Sequence, residues 1–166
     1  MDKNTSMWLI AVALLVGAGL FGCTSNSAKA KKKVNYLSLF AFNYTDRSIL
    51  DITVDGMWLG GASAYTNGGS AMGPKPPRNM NKQHTIKVHW RPSSRYDLKT
   101  NRYVRGEVQP SHDAVVPIKF PYPDNPSELV LHFYPDGHVE AEMVDLSANV
   151  FDFRRFPVPA EHNYNK

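Results

Sequence analysis

The amino-acid sequence predicts an all-β fold, a single antiparallel β-sandwich or half-open barrel of about seven to eight short strands. Segments in which apolar and polar residues alternate recur from Tyr36 onwards, and residues that favour turns separate them. No segment carries apolar residues at the sustained i, i+3, i+4 and i+7 spacing of an amphipathic helix with caps. The 12 prolines fall at segment ends and turns, which suits the protected edges of a sheet.

The predicted strands follow from this alternation. The clearest is 85–90, where Ile86, Val88 and Trp90 point to one face and the residues between them to the other. Residues 91–102 are polar and are expected to form a turn-rich connection. The predicted strands span residues 36–43, 49–54, 57–59, 85–90, 103–108, 114–120, 129–134 and 138–144, with a last short strand at Phe151 and Phe153. The predicted core comprises Ile52, Val54, Ile86, Val88, Trp90, Leu131, Phe133 and Val139.

Two hairpins are predicted from turn signals. Asp55-Gly56 is the two-residue signal of a type I′ turn, and residues 135–137 (Pro-Asp-Gly) mark a turn between 129–134 and 138–144. In the simplest register of the second hairpin, His132 lies opposite Glu140, and the histidines face solvent. The predicted solvent-facing side also carries His138, Glu140 and Glu142. One histidine and one carboxylate fall short of the three or four ligands of a metal site, so no metal is expected.

The N-terminal residues predict a lipoprotein. A start with one lysine precedes the apolar run 8–21, which is shorter than the about 20 residues that span a bilayer. The run ends in Leu-Phe-Gly-Cys, which resembles a lipobox, so we expect acylation at Cys23 after loss of residues 1–22. The alternative is an ordinary signal peptide with a chance cysteine. Thr24 in place of aspartate favours sorting to the outer membrane, with the domain facing the periplasm.

Charge and cysteine content limit the function classes. The formal net charge is +4, but Lys29 and the lysines at 31–33 lie in the segment that follows Cys23, and from Val34 onwards basic and acidic residues are equal in number. A nucleic-acid binder needs a basic face, so none is expected. The basic segment either lies against anionic lipid or is a solvated spacer. The one cysteine would carry lipid, which excludes disulfides and a thiolate nucleophile.

The chain divides into a signal peptide (1–22), a lipidated and basic tether (23–33), the β domain (34–155) and a proline-containing tail (156–166). Within the domain, residues 60–82 are rich in glycine and proline and are predicted to form an irregular loop that is long enough to be functional. In or beside this loop lie four residues of the types that dominate interfaces, which we predict to bind a partner: Trp58, Tyr65, Arg78 and Met80. The alternative is that the loop folds over the sheet and buries them.

No catalytic set is predicted. The glycine-rich stretch lacks both the strand-to-helix frame of a nucleophile elbow and the Gly-Lys-Ser/Thr ending of a phosphate-binding loop. We therefore expect neither an enzyme nor a cofactor.

Several motifs together resemble one family. They are Phe-Asn-Tyr-Thr-Asp at 42–46, Ile-Thr-Val-Asp-Gly at 52–56, the Gly-Gly pairs at 60–61 and 68–69, Lys-Val-His-Trp at 87–90 and Leu-His-Phe-Tyr-Pro-Asp-Gly at 131–137. In their order and spacing they resemble a family of small proteobacterial lipoproteins associated with type VI secretion and its phospholipase effectors. Relatives usually carry two cysteines after the second glycine pair, where this chain has Ala-Met-Gly.

The resemblance implies an immunity protein. Such a lipoprotein would be a monomer when free, anchored in the outer membrane, and would bind and neutralise a secreted lipase-type effector in the periplasm. The alternative is a structural or accessory envelope lipoprotein, such as a docking component of the secretion apparatus, with no toxin partner.

Overall fold

The computed structural model describes residues 36–104 and 109–162, and β-strands make up nearly all of their regular structure. The strands are β1 (Ser38–Asn43), β2 (Arg47–Val54), β3 (Met57–Ala62), β4 (Asn67–Met72), β5 (Thr85–Asp97), β6 (Arg102–Val104), β7 (His112–Pro117), β8 (Pro126–Phe133) and β9 (Val139–Asp145). A 3-10 helix (Val150–Phe153) follows them. The predicted all-β class is confirmed.

The described strands form one sheet in the order β6-β5-β2-β3-β4-β1-β8-β9, and β7 pairs with the first half of β5. Neighbouring strands are antiparallel except β1 and β8, which are parallel. The sheet curls until Ile118, directly after β7, forms a bridge with Ala141 of β9. Beside this bridge the backbone N–H of Lys119 donates to the Ala141 carbonyl at 2.7 Å. The result is a half-open barrel.

The concave face of the sheet holds the main core. Seven of the eight predicted core residues are buried, among them Trp90 and Phe133, whose rings meet edge-to-face with centroids 5.6 Å apart. The eighth, Val139, is half-buried and packs against the same cluster. The alternation read from the sequence therefore identified the inward face correctly.

A second apolar cluster lies on the outer face of β1, β8 and β9, beneath the 3-10 helix. Phe40, Phe42 and Val130 belong to it, so β1 and β8 are covered on both faces. The expectation that His132 faces solvent is wrong, because this second layer buries it completely, and Glu142 beside it is also buried. Alternation within a hairpin cannot reveal a layer that a later segment of the chain adds.

The glycine-rich stretch 60–82 is not one irregular loop, because β3 runs to Ala62 and β4 occupies 67–72. The glycines permit close approach of strands. A Cβ on Gly61 would lie 2.7 Å from the carbonyl oxygen of Ile49, and one on Gly68 would lie 2.8 Å from the carbonyl oxygen of Gly61. Residues that the sequence presents as breakers are here required inside the sheet.

Other boundaries also differ from the prediction. β5 continues through the expected polar connection to Asp97, because its second half pairs with β2 on one side and β6 on the other. Phe151 and Phe153 lie in the 3-10 helix instead of a strand, with the Asn149 side chain accepting from the Phe151 N–H. The predicted strand 103–108 is described only to Val104. The Asp55-Gly56 turn is confirmed, with φ of 49° and 80°.

The strand directions define two ends of the domain. The tether end is where the described chain enters β1 after Tyr36, and it also carries residues 55–56, 73–84 and 118–125. The hairpin end carries the opposite set of turns, at residues 44–46, 63–66 and 134–138.

Candidate functional site

Asn43, the last residue of β1, joins two turns at the hairpin end. Its side-chain Nδ2 donates to the carbonyl oxygens of Arg47 (2.7 Å), Ala62 (3.1 Å) and Ser63 (2.9 Å). Its Oδ1 accepts from the backbone N–H and the hydroxyl of Thr45, at 2.9 and 2.8 Å. Because Asn43 is fully buried and its polar atoms are all paired, it fixes these turns in one arrangement.

A pocket of about 480 Å³ opens beside these turns. Aromatic rings and prolines line most of it, and charged side chains stand at its margin. The lining residues are Tyr44, Tyr65, Tyr134, Phe156, Pro135, Pro157, Pro159, Asp136, His138 and Arg154. This volume is within the range of sites that enclose a small ligand or an inserted side chain.

A second, smaller pocket of about 180 Å³ lies on the barrel side of the turn at 134–138 and shares Tyr134, Pro135 and His138 with the first. The β8–β9 turn therefore stands as a ridge between two concave surfaces. A partner protein could therefore contact the ridge on both sides, with one part of its surface in each concavity.

The ridge is rigid and charged. The His138 ring stacks on the Tyr134 ring at 4.1 Å, and its Nδ1 pairs with Asp136 Oδ1 at 2.5 Å. The Tyr134 hydroxyl donates to Glu140 Oε2 at 3.0 Å. Burial, reinforced by that hydrogen bond, raises the pKa of Tyr134 to about 12, so it stays a neutral donor. The backbone N–H of His138 lowers the pKa of Asp136, which stays ionised.

A buried polar chain lies beneath the pocket. The Tyr44 hydroxyl meets His132 Nδ1 at 2.8 Å, and His132 Nε2 meets Glu142 Oε1 at 2.9 Å. Arg155 Nη2 donates to the same Glu142 oxygen at 2.9 Å. Burial alone would raise the pKa of Glu142, but the hydrogen bonds from His132 and Arg155 and the charge of Arg155 outweigh it and hold the pKa at about 2.

This hydrogen-bonded network has the order of a hydroxyl–imidazole–carboxylate relay. Its contacts instead fit a clamp, which holds the segment after the 3-10 helix against the sheet. The Tyr44 oxygen accepts the backbone N–H of Arg155 at 2.9 Å, and burial raises the pKa of Tyr44. A His132 ring that donates from Nε2 to Glu142 and accepts the Tyr44 hydroxyl at Nδ1 leaves each of these groups with a partner. We interpret the chain as the attachment of the segment after the 3-10 helix. Arg154 adds a bond to the Tyr65 carbonyl at 2.5 Å, so this segment forms one wall of the pocket.

The four predicted contact residues are not one patch. Tyr65, at a φ of 58°, lines the pocket at the hairpin end. Arg78 and Met80 lie in 73–84 at the tether end, where Arg78 is exposed and Met80 packs against the main core. Trp58 is 67% exposed at the second residue of β3, also near the tether end. Cys23 lies outside the described residues.

Sequence reasoning missed Tyr44 and Tyr134 as site residues, and it placed His132 and Glu142 on a polar face that was the alternative contact surface, whereas both are buried. One signal was present, since 129–133 is nearly continuously apolar apart from His132. Such a run is typical of a strand buried on both faces, and a histidine within it must then find buried partners.

Two general features bear on chemistry. Among the described residues, no group of three or more His, Cys, Asp or Glu side chains is placed to hold a metal ion. No helix within residues 36–104 and 109–162 is long and apolar enough to cross a membrane.

A family described as protein of unknown function (DUF3304) matches residues 42–141 of the chain. The chain belongs to the DUF3304 family. No curated protein and no solved structure matches it. The DUF3304 match contains Asn43, Tyr44 and the ridge, whereas Glu142 and the clamped segment lie beyond it. The description of DUF3304 states no function, so the predicted link to type VI secretion stays a prediction.

Proposed function

We propose that this DUF3304 protein is an envelope-anchored immunity protein, which binds an antibacterial effector of the phospholipase class and neutralises it. The observation that carries the proposal is the aromatic pocket beside the charged ridge, at the end of the barrel opposite the tether end. An anchor at Cys23 would leave this end free to meet a protein that arrives in the periplasm.

The chemistry of the pocket supports protein binding. Tyrosine, phenylalanine and proline surfaces bury apolar area with little loss of side-chain freedom, which is why aromatic residues dominate interface energetics. Phe156 is 52% exposed at the pocket margin, with its ring 5.2 Å from that of Tyr44. An apolar side chain of the effector would bury against both rings.

Preformed geometry also supports the proposal. The hydrogen bonds of Asn43, the stacked Tyr134 and His138 and the clamp of Arg155 hold three sides of the pocket before any partner arrives. Because a preformed surface loses less conformational entropy on binding, more of its contact energy contributes to affinity for the effector.

The charges at the margin add selectivity. Asp136 lies on the ridge, and Glu140 follows it as the second residue of β9. Arg154 lies on the opposite wall with its guanidinium 5.5 Å from the Tyr44 ring centroid. A partner must match both signs over a short distance, and mismatched partners would leave charges desolvated and unpaired.

The function is tested by co-culture. A strain that lacks both the effector gene and this gene is mixed with its parent, which carries an active type VI system. The proposal expects the double mutant to be killed and to survive when this gene is restored. The alternative, a component of the secretion apparatus, predicts two other results. The double mutant would survive, and deletion of this gene alone from the parent would stop effector secretion.

A further inference from the structure

Exposed apolar side chains concentrate at the tether end. Trp58 and Met72 are 67% and 69% exposed, and Tyr36 is 43% exposed at the point where the chain enters β1. Phe120 and Leu146, each 46% exposed, lie beyond the ends of β7 and β9 at the same end. Together they account for half of the large hydrophobic side chains that are exposed in the described residues.

Basic side chains lie among them. Residues 73–84 contain Lys75, Arg78 and Lys82, all exposed, and no acidic residue. The ammonium of Lys75 lies 5.2 Å from the centroid of the Tyr36 ring. Aromatic rings beside lysine and arginine are the combination found where proteins meet the headgroup region of a bilayer.

The acidic groups at this end make local hydrogen bonds. Asp55 Oδ1 accepts the Lys87 N–H at 2.9 Å, and Asp145 Oδ1 accepts from the backbone and hydroxyl of Ser147. Asp124 and, near the start of β8, Glu128 are further carboxylates at this end. The segment that runs from Pro74 to His84 is therefore the positive part of the surface.

We propose that the tether end is a lipid-contact surface, on which the folded domain rests against an anionic bilayer. Trp58 and Tyr36 would lie among the headgroups, and Lys75, Arg78 and Lys82 would lie near the phosphates. The inference rests on the proposed anchorage at Cys23, which precedes Tyr36 in the sequence, so an anchored chain would be joined to the membrane at the end where the domain begins. It gives Trp58 and Arg78 a lipid partner instead of a protein partner.

The orientation that follows deepens the proposed function. With the tether end on the membrane, the pocket and ridge face away from the lipid. The inhibitor would then present its binding site at a fixed height above the bilayer that a phospholipase attacks.

Intrinsic fluorescence tests the proposal. The acylated full chain, purified from membranes, is placed in phosphatidylethanolamine–phosphatidylglycerol vesicles that contain phospholipid brominated on its acyl chains. After loss of residues 1–22 the remaining tryptophans are Trp58 and Trp90, and Trp90 is buried in the barrel. We expect bromolipid to quench Trp58, and Trp58→Phe to abolish the quenching while the Trp90 emission remains.

A charge-reversal pair gives the second arm. Arg78→Glu and Lys82→Glu should each shift the docking equilibrium by about fivefold or more, since a basic side chain near an anionic surface contributes that much. Raised salt or phosphatidylcholine vesicles should act in the same direction. Phe151→Ala is the control and should leave quenching unchanged.

The result that overturns the proposal is an anchored protein whose Trp58 is unquenched and open to acrylamide. Mass spectrometry of Cys23 keeps this failure separate from failure of the anchor. Protection of Trp58 in cell membranes but not in vesicles would assign the surface to a protein and would equally overturn the proposal. Neutralisation of the effector is measured independently through pocket variants.

Discussion

His132 and Glu142 are joined across β8 and β9 by a hydrogen bond of 2.9 Å, and Arg155 reaches the same carboxylate oxygen from the segment that covers them. This contact links the barrel to the wall of the pocket. Removing the carboxylate would leave a buried imidazole and a half-buried guanidinium without their acceptor. The stability of the fold and the shape of the site therefore depend on the same three side chains.

The first prediction concerns this carboxylate. Glu142→Gln should lower the free energy of unfolding by about 2–3 kcal/mol, because the amide removes the charge from the acceptor that His132 and the half-buried Arg155 share. Urea unfolding measures the loss. Glu140→Gln is the matched control on the same strand, and because its side chain is 47% exposed it should cost no more than about 1 kcal/mol. Equal stability of the two variants would show that the clamp carries little energy.

The second prediction is a dependence of stability on pH. The folded-state pKa of Glu142 is about 2, below its ordinary value of 4.5, so its contribution is present above about pH 4.5 and is lost as the pH falls towards 2. Unfolding free energies of the wild type and of Glu142→Gln should therefore converge over that interval. A constant difference between the two proteins from pH 7 to pH 2 would contradict the assignment.

The third prediction concerns Asn43. Asn43→Ala should destabilise the domain by about 3–5 kcal/mol, because three carbonyl acceptors and the Thr45 donors lose their buried partner. Asn43→Asp keeps the acceptor oxygen and should be about as damaging, since a carboxylate would then face the carbonyls of Arg47, Ala62 and Ser63. Chemical denaturation of both variants checks this. An Asn43→Asp protein with wild-type stability would refute the described hydrogen bonds.

The fourth prediction compares two tryptophans. Trp90→Ala should cost about 3–5 kcal/mol because its ring fills the core, where it packs on Phe133. Trp58→Ala should change stability by no more than about 0.5 kcal/mol, because its side chain is exposed. Thermal unfolding of the pair measures the contrast. A large loss for Trp58→Ala would mean that this ring packs within the fold.

The sequence was sufficient for the inward face of the sheet, because the positions of Ile86, Val88 and Trp90 alternate and strands have a period of two. It was insufficient for β4 and for the second layer. Gly61 and Gly68 act through close approach to the backbone of the preceding strand, and a glycine in the sequence does not by itself distinguish that role from a break in the strand. His132 and Glu142 are buried by residues after Asn149, so their environment depends on a non-local contact.

The candidate site was harder to predict for a related reason. Composition marked Tyr65 as an interface residue, and it does line the pocket, but Arg78 and Met80 are separated from it by the length of the barrel. Whether side chains share an end of a sheet is decided by strand direction and order. The parallel pairing of β1 with β8, which brings Tyr44 to Tyr134, was not expected.

The most direct test of the central claim is the affinity of pocket variants for the lipase effector of the same strain. Isothermal titration should show that Phe156→Ala weakens binding by about 1–2 kcal/mol or more, since Phe156 lines the pocket. Phe151→Ala, equally exposed on the same segment but outside the lining, should bind as the wild type does, and both variants should inhibit lipid hydrolysis in proportion to their affinity. Wild-type affinity of Phe156→Ala, or no binding of the effector by the unmodified protein, would contradict the account.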